Sequence, residues 1–131
     1  MRSIQGPSLH LAQFSADQPP FNDLPSIAAW AASQGFKALQ IPAWDERLFD
    51  VEQAAHSQQY CDDMIAMLAG HGLVISELTT HIFGQLVAVH PAYDALCDSF
   101  APAALHGDPD ARSAWAIERI KLAAKASQRL G

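Results

Sequence analysis

Three short apolar segments of the chain each end in polar or aromatic side chains suited to binding a ligand. Gln13 closes the first segment, Trp44 and Asp45 follow the second, and Thr79 and His81 close the third. Amide, carboxylate, hydroxyl and imidazole groups hydrogen-bond polar substrates, and an indole face suits the apolar C–H side of a sugar. His81 has the widest chemistry, because an imidazole can ligate a metal, bind a hydroxyl or move a proton near neutral pH.

Each of these residues also has a structural interpretation. His81 is equally well explained as the end of a strand bonded to neighbouring backbone, and Trp44 as part of the core. For Asp45 a turn with the charged residues that follow it is slightly favoured, and His90, just before a proline, reads first as a loop residue. The remaining histidines carry no motif and are interpreted as ordinary positions: His10, His56, His71 and His106.

The elements that would position these residues form a repeated pattern of apolar run, polar loop and helix. We predict strands over 8–14, 36–42 and 73–80, long helices over 24–34, 51–70 and 109–130, and a short helix over 91–100. Helix boundaries are marked by Asp50 and Asp108 as N-caps, by Pro109 at a first helical position and by Gly35 after a helix end.

Alternating strands and helices predict an α/β fold with a parallel sheet, because a return to a parallel strand needs a crossover. Ligand sites of such sheets lie at the carboxyl ends of the strands, where the polar residues fall. Both a doubly wound sheet and part of a (β/α) barrel fit this pattern, and no glycine-rich phosphate loop follows a strand. Strand alternation places Gln40, Glu77, Thr79 and His81 on an inward face and Leu39, Ile41, Val74 and Leu78 against the helices.

Composition excludes several classes of partner. The 131 residues suit one domain, residues 1–131, and carry 8 Lys+Arg against 14 Asp+Glu for a net charge of −6. That balance argues against a nucleic-acid binder and gives no support to an anionic membrane surface. Cys61 and Cys97 lack a paired spacing and are expected to be reduced, and no leader-like apolar segment starts the chain. We therefore expect a cytoplasmic protein.

Four segments, taken in order, resemble the start of sugar-phosphate isomerase/epimerase proteins of the xylose-isomerase-like TIM-barrel superfamily. They are GFKALQIPAWD at 35–45, HGLVISELTTH at 71–81, GQLVAVHPAYD at 84–94 and WAIERIKLAAKASQRLG at 115–131. The resemblance implies a partial (β/α)8 barrel consisting of the first three βα units. It also implies an enzyme that interconverts aldoses and ketoses, or epimers, of small sugars or sugar phosphates through an enediolate.

The resemblance further implies a divalent metal at the barrel mouth, Mn²⁺, Mg²⁺, Co²⁺ or Zn²⁺, whose usual ligands come from later strands. In this chain it leaves His81 as a potential metal ligand. Gln13, Trp44, Asp45, Thr79, His81, Gln85 and His90 are then candidate substrate-binding residues, with the catalytic carboxylates expected on strands beyond this chain.

Two alternatives to an isomerase remain open. A complete barrel needs about 250 residues, so a chain of 131 is expected either to be a fragment or to associate through open barrel edges while inert by itself. The weaker alternative is an endonuclease IV-like nuclease, in which a histidine ending an early strand ligates zinc. The acidic charge favours the sugar branch over the nuclease.

Overall fold

The computed structural model describes residues 4–131 as a three-stranded sheet with helices. The strands are β1 (Ser8–His10), β2 (Ala38–Pro42) and β3 (Val74–Thr79). The helices are α1 (Leu24–Ser33), α2 (Val51–His56), α3 (Gln58–Gly70), α4 (His81–Gly84), α5 (Asp94–Cys97) and α6 (Pro109–Leu130). Short 3-10 turns lie at Leu11–Gln13, Pro91–Tyr93, Asp98–Phe100 and Ala103–Leu105.

All strand pairs in the sheet are parallel, and the order is β1-β2-β3. The predicted α/β class with a parallel sheet is therefore confirmed. The first strand is shorter than predicted, because the chain turns into a 3-10 segment at Leu11. Leu9 and Leu39 are opposite each other and are buried beneath the helices, as is Ile41.

A bulge in β3 changes which residues face the helices. Leu39 is opposite Ile75, but Gln40 is opposite Glu77, so Ser76 is an extra residue in the ladder. An extra residue reverses the alternation of side chains on one side of it. The prediction that Val74 packs against the helices is therefore wrong: Val74 lies opposite Ala38, and Ile75 packs against the core instead.

After the bulge, the predicted alternation holds as far as Thr79, the end of β3. Leu78 is opposite Ile41 and packs against the core as predicted. We use the term open face for the other side of the sheet, which carries Ser8, His10, Gln40, Glu77 and Thr79.

Aspartates begin α1, α2 and α6, because a carboxylate satisfies backbone amides that have no partner in the first turn. Asp23 accepts from the Ser26 amide at 2.8 Å, Asp50 from Gln53 at 2.8 Å, and Asp108 from Ala111 at 3.0 Å. Two of these caps, Asp50 and Asp108, were predicted. Gly35 has a φ of +90°, the left-handed conformation expected after α1.

The single helix predicted over 51–70 is wrong, because the chain leaves helical geometry at Ser57. That residue is extended, with φ −124° and ψ 112°, and its hydroxyl accepts from the Tyr60 amide at 3.2 Å. Ser57 thus ends α2 and caps α3. Serine competes for backbone hydrogen bonds in this way, which is why it favours helix ends over helix interiors.

The long connection after β3 is fixed by a buried arginine. Arg112 in α6 is fully buried and forms ion pairs with Asp94 and Asp98, and it also donates to the Asp94 carbonyl oxygen. The short helix predicted over 91–100 is instead α5 flanked by two 3-10 turns. Across residues 4–131, no helix is long and apolar enough to cross a membrane.

Candidate functional site

Side chains from all three strand ends meet at the carboxyl edge of the sheet. The rings of Trp44 and His81 are in edge-on contact, with centroids 4.4 Å apart, and the His10 ring lies 6.3 Å from that of His81. Thr79 is the last residue of β3 and lies opposite Pro42. We call His10, Trp44, Thr79 and His81 the strand-end cluster. Hydroxyl and imidazole groups beside an indole ring can bind a hydroxyl-rich ligand.

Two polar atoms of this cluster are buried without a protein partner. His10 Nδ1 and Thr79 Oγ1 have no hydrogen bond from any described residue. A buried polar group usually has a partner, because leaving it unpaired costs free energy. These exceptions lie at the ends of two neighbouring strands and near His81, and they are the kind of groups that a bound ligand would satisfy.

The ladder explains why His10 belongs to the cluster. His10 lies opposite Gln40, which lies opposite Glu77, so one polar residue from each strand crosses the open face. On the same face, the Ser8 and Ser76 hydroxyls are 2.7 Å apart in a hydrogen bond. This row of polar side chains continues to the carboxyl edge.

The structure also corrects the position of His81. It is the first residue of α4 and is exposed, whereas the sequence places it at the end of the third strand, pointing inward. The strand ends two residues earlier, at Thr79, because the chain turns into a helix at Thr80. His81 therefore reaches the cluster through its contact with Trp44.

Asp45 is engaged in a turn, the interpretation that the sequence slightly favoured. Arg47 donates to both carboxylate oxygens, from Nε to Oδ1 and from Nη2 to Oδ2, each at 2.8 Å, and it also pairs with Asp17. Burial raises the pKa of Asp45, but hydrogen bonds from Arg47 and Ser15 outweigh it and leave the pKa below its usual value. The carboxylate stays ionised and paired.

The other predicted site residues lie apart from the contacts that define the cluster. Gln13 is exposed in the 3-10 turn after β1, and Gln85 is exposed just after α4. His90 is also exposed, and its Nδ1 accepts from the Ala92 amide at 3.2 Å, so it caps a 3-10 turn in the long connection. His90 therefore lies in a loop, the position that its place before a proline favoured.

Trp44 has a second role as a wall of a cleft of about 510 Å³. The cleft lies between the loop after β2, the first turn of α2, α4 and the N-terminal half of α6. Its lining residues are Ala43, Trp44, Glu46, Asp50, Val51, Glu52, Gln53, Phe83, Pro102, Trp115 and Arg119. A cleft of this size falls within the range of small-molecule sites, about 300–1,000 Å³.

The described residues do not by themselves make a metal site. Within 4–131, no three histidine, cysteine, aspartate or glutamate side chains are placed to hold one ion. A divalent site takes at least three or four converging ligands, and His10 and His81 supply two imidazoles. His81 as a metal ligand stays a prediction for a site completed by other residues.

The two cysteines are both free thiols. Cys61 is fully buried, its Sγ lies 3.4 Å from the Ala54 carbonyl oxygen, and burial raises the pKa of its thiol. A thiol held neutral in this way is a poor nucleophile. Cys61 therefore belongs to the core and not to the site.

His10 is the site residue that sequence reasoning missed. It stands in the apolar run SLHLAQF without a neighbouring motif, so its sequence context suggested an ordinary position. Alternation supplied a usable signal, because Leu9 and Leu11 point to the core and His10 between them must face the other way.

A scan against protein-family models finds none that matches this chain, and a search of curated proteins finds no match either.

Proposed function

We propose that this chain is the N-terminal part of a sugar or sugar-phosphate isomerase/epimerase barrel and supplies one wall of its substrate site. The observation that carries the proposal is the strand-end cluster. His10, Trp44, Thr79 and His81 gather at the carboxyl edge of a parallel sheet, and two of their buried polar atoms lack a protein partner. Parallel α/β folds bind their ligands at this edge.

Two features favour a barrel over a doubly wound sheet. The strands are neighbours in chain order, β1-β2-β3, whereas a doubly wound sheet reverses its order at a switch point. A doubly wound sheet also carries helices on both faces. Here the helices pack against the apolar face of the sheet, which carries Leu9, Leu39 and Ile41. Ser8 and Glu77 on the open face are exposed.

The cluster is suited to hold a sugar and to assist proton movement on it. His10 Nδ1 and Thr79 Oγ1 would hydrogen-bond sugar hydroxyls, which gives these buried atoms the partners they lack. Trp44 would pack against the C–H side of the ring, and it fixes His81 by edge-on contact. His81 can then donate or accept a proton, as aldose–ketose interconversion requires.

The metal expected of the complete barrel is a divalent ion, Mn²⁺, Mg²⁺, Co²⁺ or Zn²⁺, which would polarise the substrate carbonyl. The ligand set among residues 4–131 is too small to make its site. The role proposed for this chain is therefore to bind and orient the sugar and, through His81, to move a proton on it.

The test is interconversion of a panel of aldoses and ketoses, in the presence of Mn²⁺, by the complete barrel that contains this chain. His81→Ala should lower the rate by at least about 100-fold, the usual contribution of a proton-transferring side chain. His71→Ala is the matched control, since His71 is exposed and precedes β3 at the opposite edge of the sheet. Activity that survives both EDTA and His81→Ala unchanged would refute the proposal.

A second candidate function is assembly with another chain through the sheet edges. In the described sheet β1 and β3 each pair with β2 alone, and exposed strand edges favour pairing with further strands. The solution mass of the purified 131-residue chain tests this. A dimer or larger species favours association, and a cooperatively folding monomer counts against it.

A further inference from the structure

The cleft beside Trp44 has an aromatic lining that suits the apolar faces of a sugar. Trp44 and Trp115 both line it, and Phe83 holds the Trp115 ring edge-on at 5.5 Å between centroids. Because Trp44 also contacts His81, the cleft adjoins the strand-end cluster. A ligand bound at the carboxyl edge could therefore extend into it.

The charges in the cleft disfavour a phosphate group. Three carboxylates, those of Glu46, Asp50 and Glu52, line it against one guanidinium, that of Arg119. Arg119 is already paired with Glu52 at 3.6 Å and lies 5.7 Å over the Trp115 ring. A phosphate site needs cationic side chains or unpaired backbone amides, and this lining is negative.

The helix end at the cleft is also closed to an anion. The first turn of α2 contributes to the lining, and helix N-termini can bind phosphate through their exposed amides. Here the Asp50 carboxylate already accepts from the Gln53 amide at 2.8 Å. It therefore occupies the place that a phosphate would take.

We infer that this cleft binds an uncharged, hydroxyl-rich molecule and excludes its phosphorylated counterpart, so that the ligand of the cleft is a free sugar. Carboxylates and the Gln53 amide can bind hydroxyls, and the tryptophans pack against C–H groups. This inference rests on the proposed function, since it names the substrate class of that site. Binding and turnover are measured separately so that each can fail alone.

The test follows the indole N–H signals of the ¹⁵N-labelled 131-residue chain in ¹H–¹⁵N correlation NMR spectra. The chain has 3 tryptophans, and Trp30 serves as the internal control because it packs between Phe14 and Phe21. Titration with neutral aldoses and ketoses should shift the Trp44 and Trp115 signals and leave Trp30 in place. The corresponding sugar phosphates should bind at least about tenfold more weakly, the cost of placing an anion in a negative site.

Charge reversal at the rim of the cleft sharpens the test. Glu46 is exposed, so Glu46→Lys should fold normally, and it should strengthen sugar-phosphate binding by about tenfold relative to the neutral sugar. Glu118→Lys is the matched control. It makes the same charge change on an exposed position of α6 that does not line the cleft, and should leave the ratio within about twofold.

The outcomes separate the inference from the proposed function. Shifts of Trp44 and Trp115 by neutral sugars, together with no interconversion by the complete barrel that contains this chain, support the inference and refute the isomerase. Sugar phosphates that bind as tightly as neutral sugars refute the inference, even if interconversion is observed. No shift with any probe also overturns it, and so does an equal effect of Glu46→Lys and Glu118→Lys.

Discussion

Replacing Thr79 by valine should make the protein more stable and its ligand binding weaker. Thr79 Oγ1 is buried and has no hydrogen-bond partner among residues 4–131. Valine has nearly the same shape, keeps the β-branched side chain that strands favour, and replaces the hydroxyl with a methyl group. The substitution therefore removes an unpaired polar atom without opening a cavity.

The expected gain follows from the cost of that unpaired hydroxyl. Burying a polar group without a partner costs about 1–3 kcal/mol in proteins. Thr79 as a whole is only half-buried, so the lower part of this range applies and we expect a gain of about 1–2 kcal/mol in the free energy of unfolding. The lost hydrogen bond to a ligand hydroxyl should weaken sugar binding by about 3–10-fold.

Urea unfolding followed by circular dichroism measures the first effect, and the indole titration measures the second. Thr80→Val is the matched control, because Thr80 directly precedes α4 and its side chain makes no capping hydrogen bond in the described structure. Its free energy of unfolding should change by less than about 0.5 kcal/mol. If Thr79→Val is no more stable than Thr80→Val, the hydroxyl is not an unsatisfied group and the reasoning about the cluster is wrong.

Three further predictions concern the framework around the site. Arg112→Met leaves Asp94 and Asp98 without their buried partner, so amide hydrogen exchange should accelerate over 91–106 and stay unchanged in the sheet. An equal acceleration of exchange in the sheet and over 91–106 would contradict this. Because the pKa of Asp45 is lowered from its usual value of 3.8, its ionised carboxylate stabilises the fold above that pH. This stabilisation is lost as the pH falls through the lowered pKa. The free energy of unfolding, measured from pH 6 to pH 2, should therefore fall less steeply in Asp45→Asn. Parallel pH profiles would show that Asp45 gains nothing from Arg47. Ile27→Ala removes a fully buried side chain of α1 and should cost about 2–5 kcal/mol in urea unfolding, and a cost below about 1 kcal/mol would place Ile27 outside the core.

The helix starts were predictable because their causes are local. Asp50 and Asp108 cap helices through amides three residues ahead, and Gly35 supplies the left-handed residue after α1. The parallel sheet followed from the alternation of strands and helices alone. Such features depend on residues close together in the chain.

Features that depend on distant residues were missed. The extra residue at Ser76 is visible only once β3 is in register with β2, and it moved Val74 to the open face. Arg112 pairs with carboxylates 14 and 18 positions earlier, a spacing that no local pattern indicates. His10 joins the site because Gln40 and Glu77 lie in register with it across two strand pairs.

The most direct test of the strand-end cluster is a titration of the histidine ring signals. The chain has 6 histidines, whose C–H resonances can be assigned with single His→Ala variants. Addition of a neutral aldose should move the His10 and His81 signals together, with one affinity, and leave the exposed His71 unchanged. If His10 and His81 do not move, move with different affinities, or move no more than His71, the three strand ends do not form one ligand site.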